Sequence, residues 1–200
     1  MAKTRETGEV RREQIKQAVR LIIDEKGFKG LSTKNLAKKL GLSEGAIFRH
    51  YESKAQIIAD IVADVRKDMI GALQEVAMSN RTPKKRLREF MCTHIQYLIQ
   101  NKGITILLFT QATYQQDAET KKELDEIFQL LKHYFSKIVV DGITLGIWNA
   151  DVSVENLATL YIGIPLTINI ELNIHSGEDY QLDFCEQMFI LILKILEKKP

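Results

Sequence analysis

The chain has 200 residues, 45% of them apolar and 27% charged, with a formal net charge of +2. These are the proportions of an ordinary globular protein, long enough for one good core or for a small domain joined to a larger one. Three prolines and long stretches of 3.6-residue periodicity point to an all-α fold, and no apolar run approaches the ~18 residues of a membrane span.

The polar opening from Met1 to Arg12 lacks the apolar stretch of a secretion signal. Cys92 and Cys185 lie far apart in apolar helical patterns. They read as buried free thiols of a cytosolic protein, not as a disulfide or metal framework. Charge is uneven: residues 1–56 carry 13 Lys/Arg against 7 Asp/Glu, and the remainder 15 against 19. A basic head on a mildly acidic body suggests that the head meets a polyanion.

The first predicted helix runs from about Arg11 to Lys26, with Ile15, Ala18, Val19, Ile22 and Ile23 on one face and Gly27 as its stop. Ser32 is a good N-cap for a second helix, Thr33 to Leu40, which Gly41 ends. Ser43 caps a third, from Glu44 to about Tyr51. Ser53-Lys54-Ala55-Gln56 reads as a capping box for a long fourth helix. Its stripe (Ile58, Ile61, Val62, Val65, Met69, Leu73, Val76) dies out at Ser79-Asn80-Arg81. Pro83 opens a fifth helix that Asn101-Lys102-Gly103 stops. The sixth covers Ile104 to Gln115 and the seventh Ala118 to Asp141. A loop with the sole tryptophan, Trp148, precedes an eighth helix from Ser153 to about His175. A ninth spans Tyr180 to Lys198. This layout of about nine helices divides into a head, residues 1–54, and a body, residues 55–200.

Ser32 to Lys54 is the informative stretch. Two short helices joined by a four-residue turn containing glycine have the form of a helix-turn-helix. Leu36, Leu40, Leu42 and Ile47 would make its small core, and small Ala37 would let the third helix pack closely. The outer face, with Glu44, Ala46, Arg49 and His50, is then free to enter a major groove.

The run Gly41-Leu42-Ser43-Glu44-Gly45-Ala46-Ile47-Phe48-Arg49-His50-Tyr51, with Arg12 to Ile15, Gly27-Phe28, Leu36-Ala37 and Ser53-Lys54 around it, resembles the signature of the tetracycline-repressor family. The resemblance covers residues 11–60. It implies a dimeric one-component repressor with an N-terminal helix-turn-helix domain and a C-terminal helical domain for effector binding and dimerisation. The DNA-contacting set it implies is Ser32, Ser43, Glu44, Gly45, Ala46, Phe48, Arg49, His50, Tyr51 and Lys54. Two positions depart from the family: Phe48 stands where tyrosine is usual and Tyr51 where phenylalanine is. Phe48 cannot give a phosphate the usual hydroxyl; Tyr51 either restores one nearby or fills the core. Glu44 either accepts from a cytosine amino group or simply suits a helix N-terminus.

In the body, Leu182, Cys185, Phe189, Ile192 and Leu196 form a coiled-coil-like seam, with Met188, Leu191 and Ile195 in a second stripe beside it. A terminal helix with two apolar faces needs two partners; the seam is the expected homodimer interface. Polar residues within apolar stripes (His94, Gln111, Tyr134, Tyr161, Asn169 and Glu171) are candidates to line an effector chamber. Met69, Leu73, Met91, Leu131 and Ile164 would form its apolar walls, suiting a hydrophobic or amphipathic molecule.

No Gly-rich phosphate loop, nucleophile elbow or zincin helix can be read, so no enzyme is expected. The scattered histidines His50, His94, His133 and His175 suggest no metal and no cofactor. Two other classes stay open: a helix-turn-helix protein governed by a protein partner, and a helical lipid carrier.

Overall fold

The computed structural model describes residues 7–101, 118–174 and 183–198, and every regular element among them is helical. Helix α1 (Gly8–Lys26) begins three residues before the expected Arg11. Thr7 makes the earlier start possible: it is extended, and its Oγ1 accepts from the Val10 N–H at 3.4 Å. The expected stripe of Ile15, Ala18, Val19, Ile22 and Ile23 is its buried face. Gly27 ends the helix at φ 65°, a conformation that costs glycine little. A 3₁₀ turn, Phe28–Gly30, leads to α2 (Thr33–Leu40), and α3 (Glu44–Ile47) follows.

Helix α4 (Lys54–Val65) is capped as its sequence predicts, Ser53 Oγ accepting from the Gln56 N–H at 3.2 Å. The Gln56 side chain reaches back to the Glu52 N–H at 2.7 Å, one residue earlier than in the usual box. The expected uninterrupted helix to Ser79 is instead interrupted by a π-helical turn, Arg66–Ile70, before α5 (Gly71–Met78). Its buried residues explain why. Ile61, Val65, Met69, Leu73 and Ala77 recur at every fourth position, and on a 3.6-residue turn each such step rotates a residue by about 40°. A wider turn takes up the drift and keeps the row facing inward.

Pro83 is the first residue of α6 (Pro83–Gln100), as expected. Next come α7 (Ala118–Thr144), α8 (Val154–Ile174) and α9 (Asp183–Leu196). The helix expected over Ile104 to Gln115 lies outside the described residues. None of the described helices is long and apolar enough to cross a membrane.

The described residues group into two compact units, one within 7–64 with 101 and 118–124, the other within 65–100, 125–174 and 183–198. In the first, Ile15, Val19, Ile22, Leu36, Ile47, Ile58 and Ile61 are buried. Lys16 donates to Asp64 at 2.6 Å, tying α1 to α4. In the second, Phe135 stacks on Tyr161 with centroids 4.3 Å apart, and Phe90 tilts against both rings. Buried Arg86 donates to the Ala77 carbonyl at 2.7 Å and to Asp141 at 2.9 Å, so its charge is paired and hydrogen-bonded. Trp148 lies against Gly142, where a Cβ would come within 2.0 Å of the indole.

The cysteines correct an expectation. Cys92 and Cys185 are not free thiols; they are joined in a disulfide, with Cα atoms 5.3 Å apart. Their separation of 93 residues hid the pairing, which exists because α6 and α9 pack side by side.

Candidate nucleic-acid interface

The helix-turn-helix is built from three local devices. Ser32 Oγ accepts from the Asn35 N–H at 3.1 Å and starts α2. Gly41, at φ 64° and ψ 34°, takes the left-handed turn that ends it. The Leu42 N–H then donates to the Ala37 carbonyl at 2.9 Å, closing the helix end. Ser43 Oγ accepts from the Ala46 N–H at 3.2 Å and starts α3. Leu36, Ala37 and Ile47 are buried between them.

Helix α3 is shorter than expected. It ends at Ile47, and residues 48–50 continue as turns in which the His50 and Tyr51 N–H groups both donate to the Ile47 carbonyl, at 2.9 and 3.2 Å. The early stop brings the Tyr51 ring into the core.

The outward surface carries most of the expected set. Ser32, Ser43, Glu44, Gly45 and Arg49 are exposed, and Ala46, His50 and Lys54 are half-buried. Phe48 is 49% exposed, an apolar ring on a polar face. Lys54 donates to the Leu31 carbonyl at 3.4 Å. A shallow recess runs between Ser32, Thr33, Phe48, Ser53 and Lys54.

Tyr51 does not belong with them. It is 2% exposed, so of the two readings of this position it is the core-filling one that holds. Its hydroxyl makes no hydrogen bond among the described residues. Burial and neighbouring Asp60 push its pKa well up. Arg12 lies over the ring at 5.2 Å and donates to the His50 carbonyl at 3.2 Å. Arg12 and Thr33 are thus parts of this surface that the sequence reading missed. A clue was available for each: a guanidinium in the first turns of α1, and a hydroxyl directly after the Ser32 cap.

The candidate effector residues divide differently. Met69, Leu73, Met91, His94, Leu131, Tyr134 and Tyr161 are all buried and Ile164 is half-buried; Gln111 lies outside the described residues. His94 Nδ1 and the Tyr161 hydroxyl share a hydrogen bond of 2.7 Å. Burial lowers the His94 pKa to about 4 and raises that of Tyr161 well above its ordinary value. Both side chains are therefore neutral near pH 7.

The expected dimer seam is turned the other way. Cys185, Phe189, Ile192 and Leu196 are buried in the chain's own core, while Ile190, Leu191 and Ile195 are 49%, 50% and 39% exposed; Leu182 lies outside the described residues. Both stripes are apolar, but it is the seam that turns inward, its Cys185 meeting Ile95 and Cys92 of α6. The second stripe faces outward. On α8, Leu160 and Ile170 are likewise about half exposed.

Residues 15–61 match the model of the bacterial regulatory proteins of the tetR family. Nucleoid occlusion factor SlmA of Actinobacillus pleuropneumoniae is 25% identical over 119 residues, which are 60% of this chain and 59% of that protein. Among solved structures, the TetR family transcriptional regulator PfmR from Thermus thermophilus superposes with a TM-score of 0.76 at 21% identity, over 94% of this chain and 97% of that one. Bacillus subtilis FadR, in complex with stearoyl-CoA, gives 0.73 at 17% identity, over 92% and 99%. The segment that forms the helix-turn-helix is thus the part of the chain that matches the tetR family of bacterial regulatory proteins, and the fold of the whole is that of the solved regulators it superposes on.

Proposed function

We propose that the protein is a dimeric transcriptional repressor that binds a two-fold-symmetric operator and is released by an apolar or amphipathic small molecule. The outward presentation of Ser43, Glu44 and Gly45 at the start of α3 and of Arg49 in the turn that follows it carries the reading. Arg49 would contact a guanine edge or a phosphate. Ser32, Ser43, His50 and Lys54 would hold the backbone and set the register. The exposed stripes of α8 and α9 would join two copies.

The effector is expected in the unit within 65–100, 125–174 and 183–198, with His94, Tyr134 and Tyr161 as polar anchors. Stearoyl-CoA in the Bacillus subtilis structure is an amphiphile of the kind expected. The chain runs as helix from Lys54 through the π-turn to Met78, and an effector would act through that segment only as far as it binds one state better. A ~100-fold loss of DNA affinity needs about 3 kcal/mol of such preference.

Selection of binding sites from a random duplex pool tests the reading. It should return inverted half-sites about 34–36 Å apart, centre to centre. Arg49→Ala should cost about 1–3 kcal/mol on the selected site, whereas Lys54→Ala should weaken all sequences alike and flatten the salt dependence. Equal affinity for the selected and scrambled duplexes would end the reading.

One observation favours a second reading, control by a protein partner. His94 Nδ1 and the Tyr161 hydroxyl are already bonded to each other, so an effector would have to compete with that bond. A panel of amphiphiles decides between the two, because an effector reading requires a raised melting temperature and released DNA.

A further inference from the structure

We propose that Cys92 and Cys185 form a reversible thiol–disulfide switch, which a peroxide closes and cellular thiols open, and which sets how firmly α9 is held to α6. Three observations meet here. The Cα separation of 5.3 Å is that of bridged cysteines. The chain has only these two cysteines, so the pair can only be open or closed, with no other partner inside the chain. The two sulfurs also differ in access: Cys185 is buried with Ile95 and Ile168, whereas Cys92 is half-buried.

That asymmetry divides the chemistry. The Cys92 thiolate attacks hydrogen peroxide; an S–O bond forms, the O–O bond breaks, and hydroxide leaves to be protonated to water. The Cys185 sulfur then displaces the hydroxyl of the sulfenic acid, forming the S–S bond and releasing the second water. Two thiols lose two electrons and the peroxide gains them. In reverse, a glutathione thiolate opens the bond through a mixed disulfide, and a second releases oxidised glutathione.

A protein that works on DNA does so where glutathione keeps thiols reduced, and disulfides in such compartments are characteristically transient and sensory. The pair is also well placed to matter. It closes a loop of 93 residues and anchors the helix whose opposite face exposes Ile190, Leu191 and Ile195. The effect on dimerisation rests on the reading of that face as the dimer interface, and the reducing compartment on the DNA-binding reading; the pairing geometry rests on neither.

The test equilibrates the full-length protein in glutathione buffers from reducing to oxidising and counts free thiols by alkylation. Hydrogen exchange over residues 183–196 and sedimentation are measured on the same samples. The pair should titrate as one two-electron couple within that range. Exchange over 183–196 should slow at least tenfold on oxidation, and hydrogen peroxide should produce the same species. Cys92→Ser should remove both responses, with Cys92→Ala as a second variant if serine disturbs the packing. A pair that stays bridged, or stays reduced, across the whole range overturns the proposal, as does identical exchange in the two states. If thiol count and exchange respond while sedimentation does not, the switch stands and its effect on dimerisation falls.

Discussion

His94 and Tyr161 stand 67 residues apart in sequence and share a hydrogen bond of 2.7 Å, both fully buried. The Tyr161 ring is also stacked on Phe135, so the bond sits inside an aromatic cluster. Tyr161→Phe keeps the stack but leaves His94 Nδ1 buried without its partner, which should cost about 1–3 kcal/mol. Changing His94 to Leu as well should recover part of that loss. Chemical denaturation of the two single variants and the double variant gives the coupling directly; additive losses would mean the bond contributes nothing.

The same histidine predicts a dependence on pH. Its folded pKa is lowered to about 4 by burial, below the ~6.5 of an exposed imidazole. Between these values the unfolded chain binds the proton and the folded chain does not, so stability is whole above about pH 6.5 and falls as pH drops towards 4. The loss attributable to this group should reach about 3 kcal/mol at the acid end. Urea midpoints across this range should show a steeper fall for the native sequence than for His94→Gln.

Gly142 offers a steric test. A methyl group there would lie 2.0 Å from Trp148 Cε3, while one at Gly71 would meet nothing within 4 Å. Gly142→Ala should therefore lose about 1–3 kcal/mol by overpacking. Gly71→Ala, at a helical φ of −58°, should gain about 0.5–1 kcal/mol. Thermal unfolding of the two variants should shift in opposite directions.

The aromatic pair of the helix-turn-helix can be separated by exchange of hydroxyls. Tyr51→Phe removes a buried hydroxyl without a hydrogen bond, so stability should hold or rise and DNA affinity should stay the same. Phe48→Tyr adds a hydroxyl on an exposed ring and should strengthen binding through an added phosphate hydrogen bond. Fluorescence anisotropy with a selected operator duplex measures both. Weaker binding by Tyr51→Phe would return Tyr51 to the interface.

What the sequence disclosed follows the range of the interactions. The helix-turn-helix was legible because Ser32, Gly41 and Ser43 act on backbone groups within four residues of themselves. The inward turn of Tyr51 was not, since a ring at that position suits a core and a surface equally well. The Cys92–Cys185 bridge and the His94–Tyr161 bond join elements that periodicity treats one at a time. The π-turn was hidden in spacing that looks helical until the drift of a four-residue repeat is followed from Ile61 to Ala77. On α9 two apolar stripes compete for the core, and nothing local says which one wins.

That last choice decides how dimerisation should be tested. Phe189 is 6% exposed and belongs to the chain's own core; a charge there would disrupt the fold and say nothing about a partner. Leu191 is 50% exposed, so Leu191→Glu should leave the protomer folded, with unchanged helicity and melting of the isolated chain. In a two-fold interface every contact occurs twice, so each dimer would have to bury two glutamates without partners. An unpaired buried charge costs several kcal/mol, and each ~1.4 kcal/mol is tenfold in the dissociation constant. The dimer should therefore weaken by at least about 100-fold, and Ile195→Glu should act in the same way. Sedimentation over a concentration series measures the change, and operator binding should fall with it because two recognition helices no longer arrive together. If Leu191→Glu stays as dimeric as the native protein, copies join elsewhere and the exposed stripe of α9 serves another purpose.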